Sequence, residues 1–113
     1  MTTVQEGPVI LIGYEYRLQL QAEADLFPDG AQFTGHIRRA VGESTLLTTI
    51  NSANGGVLLR DARTLEIVLA PEATENLTPG TVVLDLVRTD IDPDRHLGVL
   101  LEIPVMLPVT RGL

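Results

Sequence analysis

Hydrophobic and polar residues alternate with a period of two along most of the chain, which is the pattern of β-strands with one buried face. The alternation is clearest over residues 14–24, where Leu18 and Leu20 fall on one side and Arg17 and Gln19 on the other. A Pro-Asp-Gly turn at residues 28–30 follows this stretch. The pattern therefore predicts an amphipathic strand that ends in a tight turn.

The same alternation recurs between turn signals along the rest of the chain. Further strands are predicted over residues 32–40, 45–50, 57–60, 65–69, 82–87 and 97–109. The loop at 51–56 contains Asn54-Gly55, a pair typical of tight hairpins. The one helical candidate is a short turn near 71–77, because Pro71 suits a first helical position and Glu72 suits the first turn. These elements predict an all-β fold, an immunoglobulin-like antiparallel β-sandwich of about seven or eight strands.

The length of 113 residues fits a single domain spanning residues 1–113. Residues 1–7 and 108–113 are expected to be flexible or extended arms. Pro104 and Pro108 cannot donate a ladder hydrogen bond, so the end of the last strand is expected at a sheet edge or in an arm. No basic, apolar leader is visible, and we expect a soluble protein made in the cytoplasm.

Composition narrows the partners and the chemistry. Fifteen acidic residues against eight basic ones give a net charge of −7, which argues against binding to nucleic acid or to anionic membranes. The absence of cysteine excludes a disulfide framework, a thiolate zinc site and a cysteine nucleophile. No phosphate-cradling or dinucleotide motif accompanies Gly55-Gly56, so no cofactor is expected.

The weak metal candidate is a calcium site at Asp90, Asp92 and Asp94, since clustered carboxylates are what this cation prefers. Arg95 stands where a calcium loop needs glycine, and Leu101 stands where it needs a bidentate Glu. A solvated turn is therefore the favoured interpretation, and no metal is predicted.

Catalytic patterns are weak. The isolated His36 and His96 lack a neighbouring ligand and are expected at the surface. Neither Ser44 nor Ser52 lies in a nucleophile-elbow motif. We expect no catalytic residues, and a small hydrolase that uses a carboxylate pair ranks last among the hypotheses.

Two segments, Val57-Leu58-Leu59 and Val99-Leu100-Leu101, are apolar on both strand faces. Either they are buried between two sheets or they form an exposed patch that a partner covers. The interaction candidates are Leu58, Leu100, Met106 and Leu107.

The order of motifs resembles that of small immunoglobulin-like β-sandwich proteins from phage and prophage tail and structural gene clusters. The similarity covers about residues 13–111: the Pro-Asp-Gly turn, the 65–69 strand, an acidic helical turn, the 77–86 segment with its Leu-x-Pro-Gly turn, and a last strand ending near Arg111. Valines at 82 and 83 stand where that family usually has an aromatic residue.

The resemblance implies a non-enzymatic tail or virion assembly component, found in an assembled particle and packed against its own copies or other phage structural proteins. The alternative is a carbohydrate-binding sandwich module, which would need exposed aromatic residues. Only four aromatic residues are present, Tyr14, Tyr16, Phe27 and Phe33.

Overall fold

The computed structural model describes residues 2–4 and 9–113 of the chain. Its elements are β1 Thr2–Val4, β2 Ile10–Leu11, β3 Tyr16–Ala22, β4 Phe33–Arg38, β5 Thr48–Asn51, β6 Val57–Asp61, β7 Thr64–Leu69, α1 Pro71–Thr74, β8 Gly80–Arg88 and β9 Arg95–Met106. Each predicted strand is present, with β1 and β2 added before them, and the predicted helical turn is confirmed at its amino-terminal half.

The strands form two sheets, one of four strands in the order β1-β3-β7-β6 and one of five in the order β2-β9-β8-β4-β5. In immunoglobulin nomenclature, the four-stranded sheet corresponds to strands A, B, E and D. In the other sheet, β9, β8 and β4 correspond to strands G, F and C, so the arrangement is that of an immunoglobulin-like sandwich. The predicted all-β sandwich is therefore confirmed. One pairing is parallel, between β2 and β9, where a purely antiparallel sandwich was expected.

The core lies between the sheets and consists of the inward residues of each alternating strand. Seven inward residues of the alternating stretches are at most 5% exposed: Leu18, Leu20, Ile37, Ile67, Leu69, Leu84 and Leu86. Leucine, isoleucine and valine from many strands thus supply the core, because one face of each amphipathic strand is removed from water.

The expected hairpin at Asn54-Gly55 is wrong. The turn is tight, since the Asn54 side chain accepts from the Asn51 and Gly56 backbone N–H groups at 3.0 and 2.9 Å. However, β5 and β6 belong to different sheets, so this turn carries the chain from one layer to the other. Turn chemistry specifies the local backbone but not the partner of each strand.

The end of β9 that contains Pro104 is not at the sheet edge, because β2 is the edge strand and β9 is the second strand. Ile12 N–H donates to the Met106 carbonyl at 3.0 Å, so the backbone of Met106 faces β2. Pro104 has the same parity along the strand and faces the same side, away from β8. The ladder with β8 therefore loses no donor, which is why proline is tolerated there.

Two glycines shape the five-stranded sheet. A Cβ at Gly35 would lie 2.7 Å from the Asp85 backbone oxygen, so only glycine lets β4 approach β8 at this point. Gly98 has a φ of 75° within a bulge of β9, where residues 97–99 stand between the pairs Asp85–Leu100 and Val87–His96. This left-handed conformation favours glycine.

Candidate interaction surface

The four interaction candidates do not form one patch. Leu58 is half-buried on the outer face of the four-stranded sheet, where it pairs with Glu66. Leu100 and Met106 project from β9 on the outer face of the five-stranded sheet and are 61% and 53% exposed. Leu107 follows directly after β9 and is also half exposed. Three candidates therefore lie along one sheet, and Leu58 lies on the other.

The outer face around Leu58 is occupied by the protein's own ion pairs. The Glu66 carboxylate bonds to Arg60 and, at 3.1 Å, to Arg17 on the opposite neighbouring strand. The Arg60 hydrogen bond, with the charge of both arginines, lowers the pKa of Glu66 against the opposing effect of burial. These three charges pair with one another across β3, β7 and β6, so around Leu58 they are already satisfied within the molecule.

The other sheet has a shallow depression of about 210 Å³ on its outer face. We call its surroundings the Val83 face; it consists of His36, Arg38, Val83, Asp85, Leu100 and Glu102. Val41 contributes a further wall of the depression and is 68% exposed. An exposed apolar centre with a charged rim is the usual anatomy of a protein interface.

The strand register arranges the charges of the Val83 face in a row. Val83 on β8 pairs with Arg38 of β4 on one side and with Glu102 of β9 on the other. Neither Arg38 nor Glu102 forms a salt bridge within residues 9–113. The Arg38 guanidinium donates to the Ser44 carbonyl at 2.8 Å and keeps further N–H groups. The face thus has one uncompensated positive and one uncompensated negative side.

The next row contains Asp85, whose carboxylate lies 2.8 Å from His96 Nε2. The Gly98 N–H donates to His96 Nδ1 at 2.9 Å, so the other ring nitrogen carries the proton that is shared with Asp85. The β9 bulge makes this contact, because it brings His96 back beside β8. His36, on the far side of Asp85, is exposed and lies 3.4 Å from Arg38.

Sequence reasoning missed Val41 and Val83 as parts of this surface. A signal for Val83 was available, because the alternation of β8 places it on the opposite face from Val82 and Leu84. Val41 follows β4 in a turn, and no periodic pattern marks which surface such a residue joins.

The three aspartates of the calcium candidate do not converge. Both carboxylate oxygens of Asp90 are held by Arg88, at 2.8 and 3.0 Å, and Gln32 N–H donates to the same group at 3.2 Å. Across residues 9–113, no three His, Asp or Glu side chains are grouped as metal ligands. Asp90 therefore fastens the start of β4 to the β8–β9 turn.

This contact predicts a pH effect. The Arg88 hydrogen bond, together with the Gln32 N–H, lowers the pKa of Asp90 to about 2. Because an unfolded Asp titrates at about 3.9, the contact stabilises the fold above that pH and is lost as the pH falls towards 2. A carboxyl-carbon NMR titration should show this low pKa, and Asp90→Asn should remove the corresponding part of the acid destabilisation. An Asp90 pKa near 3.9 would contradict the contact.

The two serines make structural contacts. The Ser52 hydroxyl accepts from the Phe33 N–H at 2.9 Å, which fixes the entry to β4. Ser44 engages Arg38 through its backbone carbonyl. No helix within the described ranges is long and apolar enough to cross a membrane.

The aromatic residues leave no exposed platform. Tyr16, Phe27 and Phe33 are at most 4% exposed, and the two phenylalanine rings pack edge to face at 5.7 Å. Tyr14 is half-buried and its hydroxyl donates to the Thr110 carbonyl at 2.8 Å. A sugar-binding groove lined by two exposed aromatic rings therefore has no residues from which to form.

Comparison with known proteins adds no relative: no family model matches the chain, and no curated protein matches it.

Proposed function

We propose that this chain is a non-enzymatic protein-interaction module, a structural component of a phage- or prophage-derived tail or virion, and that it binds protein through the Val83 face. The observation that carries the binding proposal is the combination, on one sheet face, of exposed Leu100 with Glu102 and Arg38, neither of which forms a salt bridge within residues 9–113. Placement in a phage-type particle is supported by the order of sequence motifs alone.

The edge of the same sheet favours docking on its face over strand addition. Beyond the short pairing with β2, the edge of β9 carries a glycine bulge at Gly98, the charge of Glu102 and Pro104. Each is a device by which natural sheets discourage edge-to-edge pairing. On the β9 side of the sheet, a partner is thus better accommodated by the side chains of the face than by the backbone of the edge.

Burial of apolar side chains supplies the expected binding energy. Leu100 and Val41 are the most exposed apolar side chains around the depression, at 61% and 68%. Each large apolar side chain contributes about 1.5–3 kcal/mol when fully removed from water. The net charge of −7 then limits unspecific association elsewhere on the surface.

The test begins with the genes adjacent to the one encoding this chain, whose products are co-expressed with it and analysed by size-exclusion chromatography. We expect tail-tube, tape-measure or baseplate genes there, and co-elution with at least one product. Leu100→Arg should weaken this binding by at least about tenfold, because it places a charge in the apolar centre.

Leu26→Arg is the matched control, since Leu26 is 48% exposed in the loop between β3 and β4, away from the Val83 face. It should leave binding unchanged. Equal loss in both variants, or co-elution unaffected by Leu100→Arg, would refute the Val83 face as the docking surface. Neighbouring genes without any phage structural product would refute the particle assignment.

A further inference from the structure

The row formed by Arg38, Val83 and Glu102 is arranged so that it complements itself. Val83 lies in the middle of the row, with Glu102 on one neighbouring strand and Arg38 on the other. Adjacent strands are about 4.8 Å apart, so the two charged residues stand at equal distances on opposite sides of Val83. A 180° rotation about an axis along β8 exchanges the two sides of the row. A rotated copy laid on this face therefore places its positive side against the negative side of the first copy.

We infer that the partner on this face is a second copy of the chain, bound about a two-fold axis that runs along β8. In this arrangement Glu102 of each copy faces Arg38 of the other, and the two Val83 side chains meet at the axis. A two-fold interface uses the same patch on both subunits, so every charge pair occurs twice. The inference rests on the proposed function, to which it adds the identity of the partner.

Other orientations of two copies bring like charges together. A two-fold axis across the strands through Val83 would place Glu102 against Glu102 and Arg38 against Arg38. Like-charge contacts at an interface cost several kcal/mol. Only the axis along the strands pairs the uncompensated residues of the row.

The neighbouring row is compatible with this axis. Asp85 follows Val83 on the outer side of β8, and its hydrogen bond to His96 holds the carboxylate towards β9. Face-to-face sheets also cross at about 30° because strands twist, so the axis bisects the directions of the two β8 strands and the Asp85 residues of the two copies lie on opposite sides of it. Leu100, in the same row, then meets the His36 side of the partner.

The outer face of the four-stranded sheet is a poorer candidate for self-pairing than the Val83 face. There Glu66 already bonds to Arg17 and Arg60 within the same molecule. On the Val83 face the opposite charges are held two strands apart, across Val83. A second copy supplies Glu102 with the salt-bridge partner that residues 9–113 of its own chain do not.

The experiment uses two single charge reversals, Glu102→Arg and Arg38→Glu, followed by sedimentation velocity from about 1 µM to about 1 mM. We expect the unmodified chain to dimerise in this range. Each variant alone should dimerise at least about tenfold more weakly, because its face then carries two charges of the same sign. An equimolar mixture of the two variants should dimerise again, since each reversed residue meets its opposite in the other variant.

Restoration in the mixture also shows that both variants fold, and circular dichroism of each alone provides the same check. Dimerisation of either variant at the unmodified strength, or folded variants that fail to pair when mixed, would overturn the two-fold arrangement. A strictly monomeric chain that still binds a neighbouring gene product through Leu100 would overturn the self-pairing and leave the proposed function standing. A dimer that responds to the charge reversals as expected, but has no partner among phage structural proteins, would support the self-pairing and overturn the placement in a phage-type particle.

Discussion

Leu84→Ala is expected to lower the free energy of unfolding by about 2–5 kcal/mol. Leu84 is 1% exposed, lies in the middle of β8, and pairs with Ile37 and Leu101 on the two neighbouring strands. Truncation removes buried methyl groups and leaves a cavity that rigid neighbouring strands cannot fill. Urea denaturation should show a lower midpoint with an unchanged slope.

Leu100→Ala is the matched control for this result. Leu100 is a leucine on the adjacent strand, only one position from the partner of Leu84, but it is 61% exposed. Its truncation should change stability by no more than about 0.5 kcal/mol. An unchanged midpoint for Leu84→Ala would mean that β8 faces the other way, as a one-residue slip in register would produce.

Thr74→Val is expected to cost about 1–3 kcal/mol, although the two side chains have nearly the same shape. The Thr74 hydroxyl is fully buried, accepts from the Gly13 N–H at 3.1 Å and lies 2.8 Å from the Tyr14 carbonyl. It therefore ties α1 to the turn that leads into β3. Valine leaves both backbone groups without this partner, and urea denaturation measures the loss.

Thr74→Ser separates the hydrogen bonds from the packing. Serine keeps the hydroxyl and loses one methyl group, so a smaller loss of about 1 kcal/mol is expected. If serine were as destabilising as valine, packing of the methyl group would be the main contribution and the tie to residues 13 and 14 would be secondary.

The strands were predictable because their information is local. Alternation in β3 and β8 identifies both the strand and its buried face, since side chains of a strand point to opposite sides with a period of two. Leu18, Leu20 and Leu84 are accordingly buried as the pattern indicates. The helical turn at Pro71 was visible for the same reason, because its start signals lie within one turn.

The candidate surface was only half predictable. Leu100 stood out because β9 is apolar on both faces near it, which a strand buried on one side does not require. The sequence did not predict that Leu100 and Arg38 share one face, because only the pairing of β4, β8 and β9 brings them together. Residues far apart in sequence become neighbours only through sheet order, which local patterns leave open.

The sequence by itself determined an all-β sandwich, the inward side of the strands with clear alternation, such as β3 and β8, and the absence of thiol chemistry. Those properties follow from side-chain period and residue type, which need no knowledge of the partner strands. The tertiary structure alone decided that Asn54-Gly55 joins two sheets, that Asp90 bonds to Arg88, and that Glu102 and Arg38 flank Val83. The first and the last of these three features depend on pairing between residues far apart in sequence. The energy of that pairing comes from burial across the whole core, so no short segment of the sequence specifies it.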